Sequence, residues 1–103
     1  MVPLRVSSTS RPAAVAGAIA QLVREQRRTA VRVIGAPAVY QALRAVIIAR
    51  KYLEGDGLDI AFVPSLVTLE INGQKCVAIE LGIESYPVVK ETGNCAPRQP
   101  IRA

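Results

Sequence analysis

The sequence predicts a two-layer α/β domain of element order β-α-β-α-β-β, with two helices on one face of a four-stranded mixed sheet. Three observations lead there. Within residues 4–53, two short apolar stretches are each followed by a longer segment whose apolar residues recur at helical spacing. Residues 58–85 then alternate with the period of two expected of strands and are divided by Asn72-Gly73, a hairpin dipeptide. Finally, half of the 103 residues are apolar yet only three Tyr and one Phe are aromatic, so the core must be built from Val, Ile, Leu and Ala. A chain of this length forms one domain that buries only about 60–65% of its unfolded surface, and a second copy would help it.

Leu4-Arg5-Val6-Ser7 alternates as a short half-buried strand does. A hydroxyl cluster, residues 7–10, precedes an Ala-rich helix that starts at Pro12 and runs to about Arg27. Ser10 or a neighbour can cap it, with Pro12 in the first turn. Val15, Ala16, Ile19, Leu22 and Val23 face inward, Gly17 and Ala18 keep one flank slim, and Arg24, Glu25, Arg27 and Arg28 close the polar end, where cations suit the dipole. Residues 31–34 form the second strand, Gly35 the turn, and residues 37–53 the second helix, with Pro37 near its start. Its predicted inward arc is Val39, Ala42, Leu43, Val46, Ile47, Ala49 and Leu53. Tyr40, Gln41, Arg44, Ile48, Lys51 and Tyr52 fall outside, and Ile48 and Tyr52 among them mark that side as a mating surface. Strand, helix, strand makes a parallel unit with a right-handed crossover. Residues 54–57, Glu-Gly-Asp-Gly, end the helix.

The phase of the next strand changes: Leu58, Ile60 and Phe62 are even-numbered, while Val67, Leu69 and Ile71 are odd-numbered. With Pro64-Ser65 at the switch, a bulge or bend is expected there. The last strand, residues 75–85, sets Val77, Ile79, Leu81 and Ile83 on one face. A two-residue turn would pair position 69 with 76 and separate the two odd-numbered apolar sets. A three-residue loop, Ile71-Asn72-Gly73, pairs 69 with 75 and unites them, and is the expected connection. From Pro87 the sequence loses periodicity and carries further prolines, as a flexible tail does.

Net charge is +5 with a pI near 9.8. Residues 1–53 hold nine Lys/Arg against Glu25, whereas residues 54–103 hold four against seven acids. A basic half suits a polyanion such as nucleic acid, or equally a set of solvated helix faces. There is no histidine, hence no ordinary general base near neutral pH and not the commonest metal ligand. Cys76 and Cys95 have neither metal-ligand spacing nor a disulfide framework and are expected as free thiols. Nothing calls for a cofactor or metal. No run of eighteen apolar residues and no signal-peptide core occurs, so the expected location is the cytoplasm.

The segments LRVSSTSRPAAVAGAIA (4–20), VRVIGAPAVYQALRAVIIARKYL (31–53) and LDIAFVPSLVTLEINGQKCVAIEL (58–81) closely resemble the stage V sporulation protein S family, a small bacterial family linked to spore development. The resemblance covers about residues 3–86. That family is similar in turn to the Alba proteins, which share the element order, form dimers and bind DNA or RNA. Alba-like binding implies contacts at the start of helix one, here Ser8, Thr9, Ser10 and Arg11. It also implies the glycine turn, here Gly35 with Gln41 and Arg44 near it. The third contact is a long basic hairpin; here residues 72–75 are short and Lys75 is their one cation, which lowers the expected affinity.

Each feature has a plainer reading as well. Residues 7–11 can hold phosphate on unpaired N–H groups, or simply cap a helix. Gly35 can admit a phosphate or base, or merely make a tight turn. Arg44 and Lys51 can meet phosphates or acids across a dimer, with Ile48, Lys51 and Tyr52 forming the interface. Glu70, Glu80 and Glu84 lie on strands without a nucleophile–base pair or phosphate loop, and no catalysis is expected. The expectation is a cytoplasmic dimeric regulator, with tetramers left open, that binds DNA or RNA weakly through the backbone and has no membrane partner. The alternative is an oligomeric protein–protein adaptor that binds no nucleic acid.

Overall fold

The structure is a computed structural model that describes residues 3–88, and it has the predicted element order. β1 (Leu4–Val6) leads into α1 (Pro12–Gln26), and β2 (Arg28–Val33) into α2 (Ala36–Leu53). A 3-10 turn (Glu54–Asp56) then precedes the long hairpin of β3 (Leu58–Ile71) and β4 (Gln74–Pro87). The sheet order is β1-β2-β4-β3, with β1 parallel to β2 and the other pairings antiparallel. Residues 89–103, including Cys95 and nearly all of the expected tail, lie outside the described residues. Pro87 itself is the last residue of β4, opposite Leu58.

Alternation explains the core. Leu4, Val6, Thr29, Val31, Val33, Ile79, Leu81 and Ile83 share the face beneath the helices, where they meet Ala16, Ile19, Ala20 and Val23 of α1. α2 contributes Ala38, Ala42, Ala45, Val46, Ala49 and Leu53. Alanine at four of those positions lets α2 lie close to its neighbours, α1 above all. Leu43 and Ile47, predicted inward, are 38% and 58% exposed, and Ile48, predicted outward, is half-buried against the core. The inner side of α2 is therefore turned away from the predicted arc, because small alanines rather than large aliphatics mark it.

α1 is not capped by Ser10. Its N-cap is Arg11, without a side-chain cap, and the Ser10 hydroxyl instead accepts the Ser7 N–H at 2.9 Å. Arg27 ends α1 in the left-handed region at φ 69°, so Arg28 already belongs to β2. The Arg27 carbonyl accepts both the N–H (3.1 Å) and the hydroxyl (2.6 Å) of Ser85, which fastens this reversal to β4.

The hairpin departs from expectation twice. Its pairing keeps one residue opposite one from Leu58–Pro87 to Ile71–Gln74, so there is no bulge at Pro64-Ser65; Pro64 is tolerated because β3 is an edge strand. The connection is a two-residue turn, Asn72-Gly73, with φ 53° and 77°, and Leu69 faces Cys76. Both residues positive in φ is the type I′ pattern, whose twist matches the strands. The two apolar sets are thus on opposite faces. Ile79, Leu81 and Ile83 pack under the helices, while Val67, Leu69 and Ile71 belong to the helix-free face, so nothing required them to unite.

Candidate nucleic-acid interface

Strand direction collects the predicted residues. Because β1 and β2 are parallel, α1 and α2 both begin at the same end of the sheet. β4 runs against β2, so its pairing with β2 stops at Val33–Ile79, and the hairpin continues beyond that same end. The pairs from Val67–Ala78 to Ile71–Gln74 form a two-stranded arm roughly 15 Å long at the usual rise per residue. The hairpin is therefore long rather than short, although Lys75 is its one cation; Lys75 lies directly opposite Glu70 near the tip.

Ser8, Thr9, Ser10 and Arg11 make the loop before α1. The hydroxyls of Ser7 and Thr9 are 3.0 Å apart and those of Ser7 and Ser10 3.3 Å, so the loop is knit by its own side chains. The first turn of α1 carries Pro12 and no acid, and its leading N–H groups have no intrahelical acceptor. Gly35 is the N-cap of α2 at φ 89° and ψ 150°, a conformation that a side chain all but forbids, and α2 also begins without an acid. The positive ends of two helix dipoles thus share one end of the molecule. Gln41 Nε2 donates to the Ser8 carbonyl at 3.2 Å and joins the two regions.

Other predicted residues stand apart. Arg44 lies more than two turns into α2, exposed, with its guanidinium 5.7 Å from the Tyr40 ring centroid. Lys51 and Tyr52 are exposed near the C-terminal end of α2, whereas Ile48 packs inward. The arginines at the end of α1 and in β2, Arg24, Arg27, Arg28 and Arg32, are divided. Arg24 pairs with Asp56 at 2.8 Å, and Arg27 and Arg28 sit at the opposite end of the sheet from Gly35. Arg32 pairs with Glu80 at 2.8 Å, and Arg28 lies opposite Glu84. Two of the acids considered for catalysis are thus set against arginines.

Arg50 grips Asp59 through two donors, Nε at 2.8 Å and an Nη at 3.1 Å, and Tyr86 Oη adds a third hydrogen bond. The Arg50 guanidinium, more than any other neighbour, holds the Asp59 carboxyl below its usual range, and Asp59 in turn raises the Arg50 pKa. This cluster ties α2 to β3 and is structural.

Two sets were missed in the sequence. Tyr40, Leu43 and Ile47 form an exposed stripe on α2, and Leu66 of β3 and Val77 of β4 are 74% and 62% exposed beside Val39. Alanine spacing, read as the inner arc of α2, would have exposed that stripe. Arg5 carries no signal in the sequence, because its position opposite Arg32 depends on strand register.

No helix among the described residues is long and apolar enough to cross a membrane. The family model described as stage V sporulation protein S matches residues 2–86. With that match spanning most of the chain, and with the fold agreeing with the expectation built on the same segments, the protein belongs to the stage V sporulation protein S family.

Proposed function

We propose that this sporulation-family protein is a small dimeric regulator that binds DNA or RNA weakly through the phosphate backbone. One observation carries the reading: the loop Ser8–Arg11, the Gly35 turn and the arm bearing Lys75 all emerge at one end of the sheet, where two helix dipoles point outward. Cations are sparse there, which favours low affinity with a shallow salt slope. Dimerisation would use the exposed stripe of α2, with Tyr52 and Lys51 at its margin and Arg44 at the rim, and would set two such ends side by side.

The test is fluorescence anisotropy with duplex DNA, single-stranded DNA and RNA at two salt concentrations. The reading expects affinity to fall with rising log salt and to weaken in Arg11→Ala, Arg44→Ala and Lys75→Ala. The exposed Tyr40, Leu43 and Ile47 stripe favours a second reading, an oligomeric adaptor for another protein. On that reading no polymer binds at moderate salt, and the three variants behave like the wild type.

A further inference from the structure

The helix-free face of the sheet holds a concavity of about 500 Å³. The β3–β4 arm forms one side of it. Leu69 and Ile71 of β3 line the same space as Arg5 and Ser8, although β1 and β3 are opposite edges of the sheet. Its size is that of a small-molecule site.

Its polar wall is unbalanced in charge. Arg5 and Arg32 stand directly opposite each other in adjacent parallel strands, both on the helix-free face and about 4.8 Å apart in strand spacing. Like charges so placed repel. Glu80, on the far side of Arg32, engages that guanidinium through Nε at 2.8 Å, leaving two cations against one anion along the row. No carboxylate is among the described residues lining the concavity. The hydroxyl loop of residues 7–10 closes one end. The facing wall is apolar, with Leu69 beside the exposed Ile34 and Ile71.

We propose that this concavity binds a small organic phosphate: a nucleoside monophosphate, or a phosphomonoester of that size with a flat apolar body. The phosphate sits between the Arg5 and Arg32 guanidinium groups, whose planar donors match its oxygens and whose repulsion it relieves. The ring lies against Leu69 and Ile71, and Ser8 is placed to donate to the phosphate or sugar. The inference shares the hydroxyl loop with polymer binding, but it rests on Arg5, Arg32 and the underside of the arm rather than on Arg11, Arg44 or Lys75, so the two can fail separately.

Isothermal titration of the full chain with adenosine 5′-monophosphate, adenosine and inorganic phosphate tests it. Saturable binding is expected with the monophosphate, and each fragment alone should bind far more weakly. Arg5→Gln and Ile71→Ser should each weaken the monophosphate by about tenfold or more, as losing a charged hydrogen bond or an apolar wall does. Arg28→Gln, a cation on the same face outside the concavity, should change nothing. Arg5 is exposed on an edge strand, so Arg5→Lys keeps fold and charge while removing the planar fork, and should also weaken binding. Amide shifts should cluster at residues 5–8 and 69–71. The proposal is overturned by absence of binding, by inorganic phosphate binding as tightly as the monophosphate, or by equal losses in Arg5→Gln and Arg28→Gln.

Discussion

Gln41 on α2 reaches across to the loop before α1 and donates from Nε2 to the Ser8 carbonyl at 3.2 Å. That hydrogen bond joins the two regions proposed to meet phosphate, and the Gln41 Oε1 is buried without a partner. Gln41→Ala should therefore cost only about 1 kcal/mol of stability, a single neutral hydrogen bond. It should nonetheless raise amide exchange at residues 8–10 and weaken polymer binding. Urea unfolding with hydrogen exchange checks the first two, and anisotropy the third.

Gly35 precedes α2 at φ 89° and ψ 150°, a region that other residues scarcely visit. The nearest heavy atom to an added Cβ is Pro37 Cδ at 3.9 Å, so space is not the obstacle and backbone strain is. Gly35→Ala should destabilise by about 1–3 kcal/mol. Chemical denaturation measures it, and a neutral outcome would show that the turn can relax.

Asp59 supplies a pH signature. Its folded pKa lies below 3.8, the ordinary aspartate value, chiefly because of the Arg50 hydrogen bond. The unfolded chain therefore binds the proton first, so the Asp59 contribution is fully present above 3.8 and disappears as pH falls through the lower folded value. Asp59→Asn should destabilise at neutral pH and flatten the loss of stability below pH about 4. Thermal unfolding across the acid range, with Tyr86→Phe as a milder companion, reads it out.

The stripe of Tyr40, Leu43 and Ile47 yields an association prediction. Ile47 is exposed, so Ile47→Asp should leave the fold intact while placing a charge in the proposed dimer contact. Light scattering should show a dimer for the wild type and a monomer for the variant. A monomeric wild type at micromolar concentration would remove the mating surface from the functional reading.

Much of this was legible in the chain. The helical spacing in α1 and α2, Pro12 and Pro37 near their starts, and the alternation in β3 and β4 specify the element order, because each is a local pattern with one matching geometry. The turn at Asn72-Gly73 was legible too: the dipeptide favours a two-residue I′ turn, and the apolar sets that a three-residue loop would unite belong on opposite faces. The inner side of α2 is not legible from side-chain size, since the alanines at 38, 42, 45 and 49 are buried while Leu43 and Ile47 are exposed. Ser10 illustrates the competition among short polar side chains, its hydroxyl taken by Ser7 rather than by the helix.

By itself the sequence determined the elements, their order, the basic first half and membership of the family, all of which depend on neighbours a few residues apart or on matched segments. The tertiary structure decided what depends on register and direction: two helix starts and a hairpin arm at one end, Arg5 opposite Arg32, and Leu69 and Ile71 lining one concavity with them. Shifting a strand by one residue turns every side chain to the other face, so such relationships belong to the pairing of distant segments and not to any one of them.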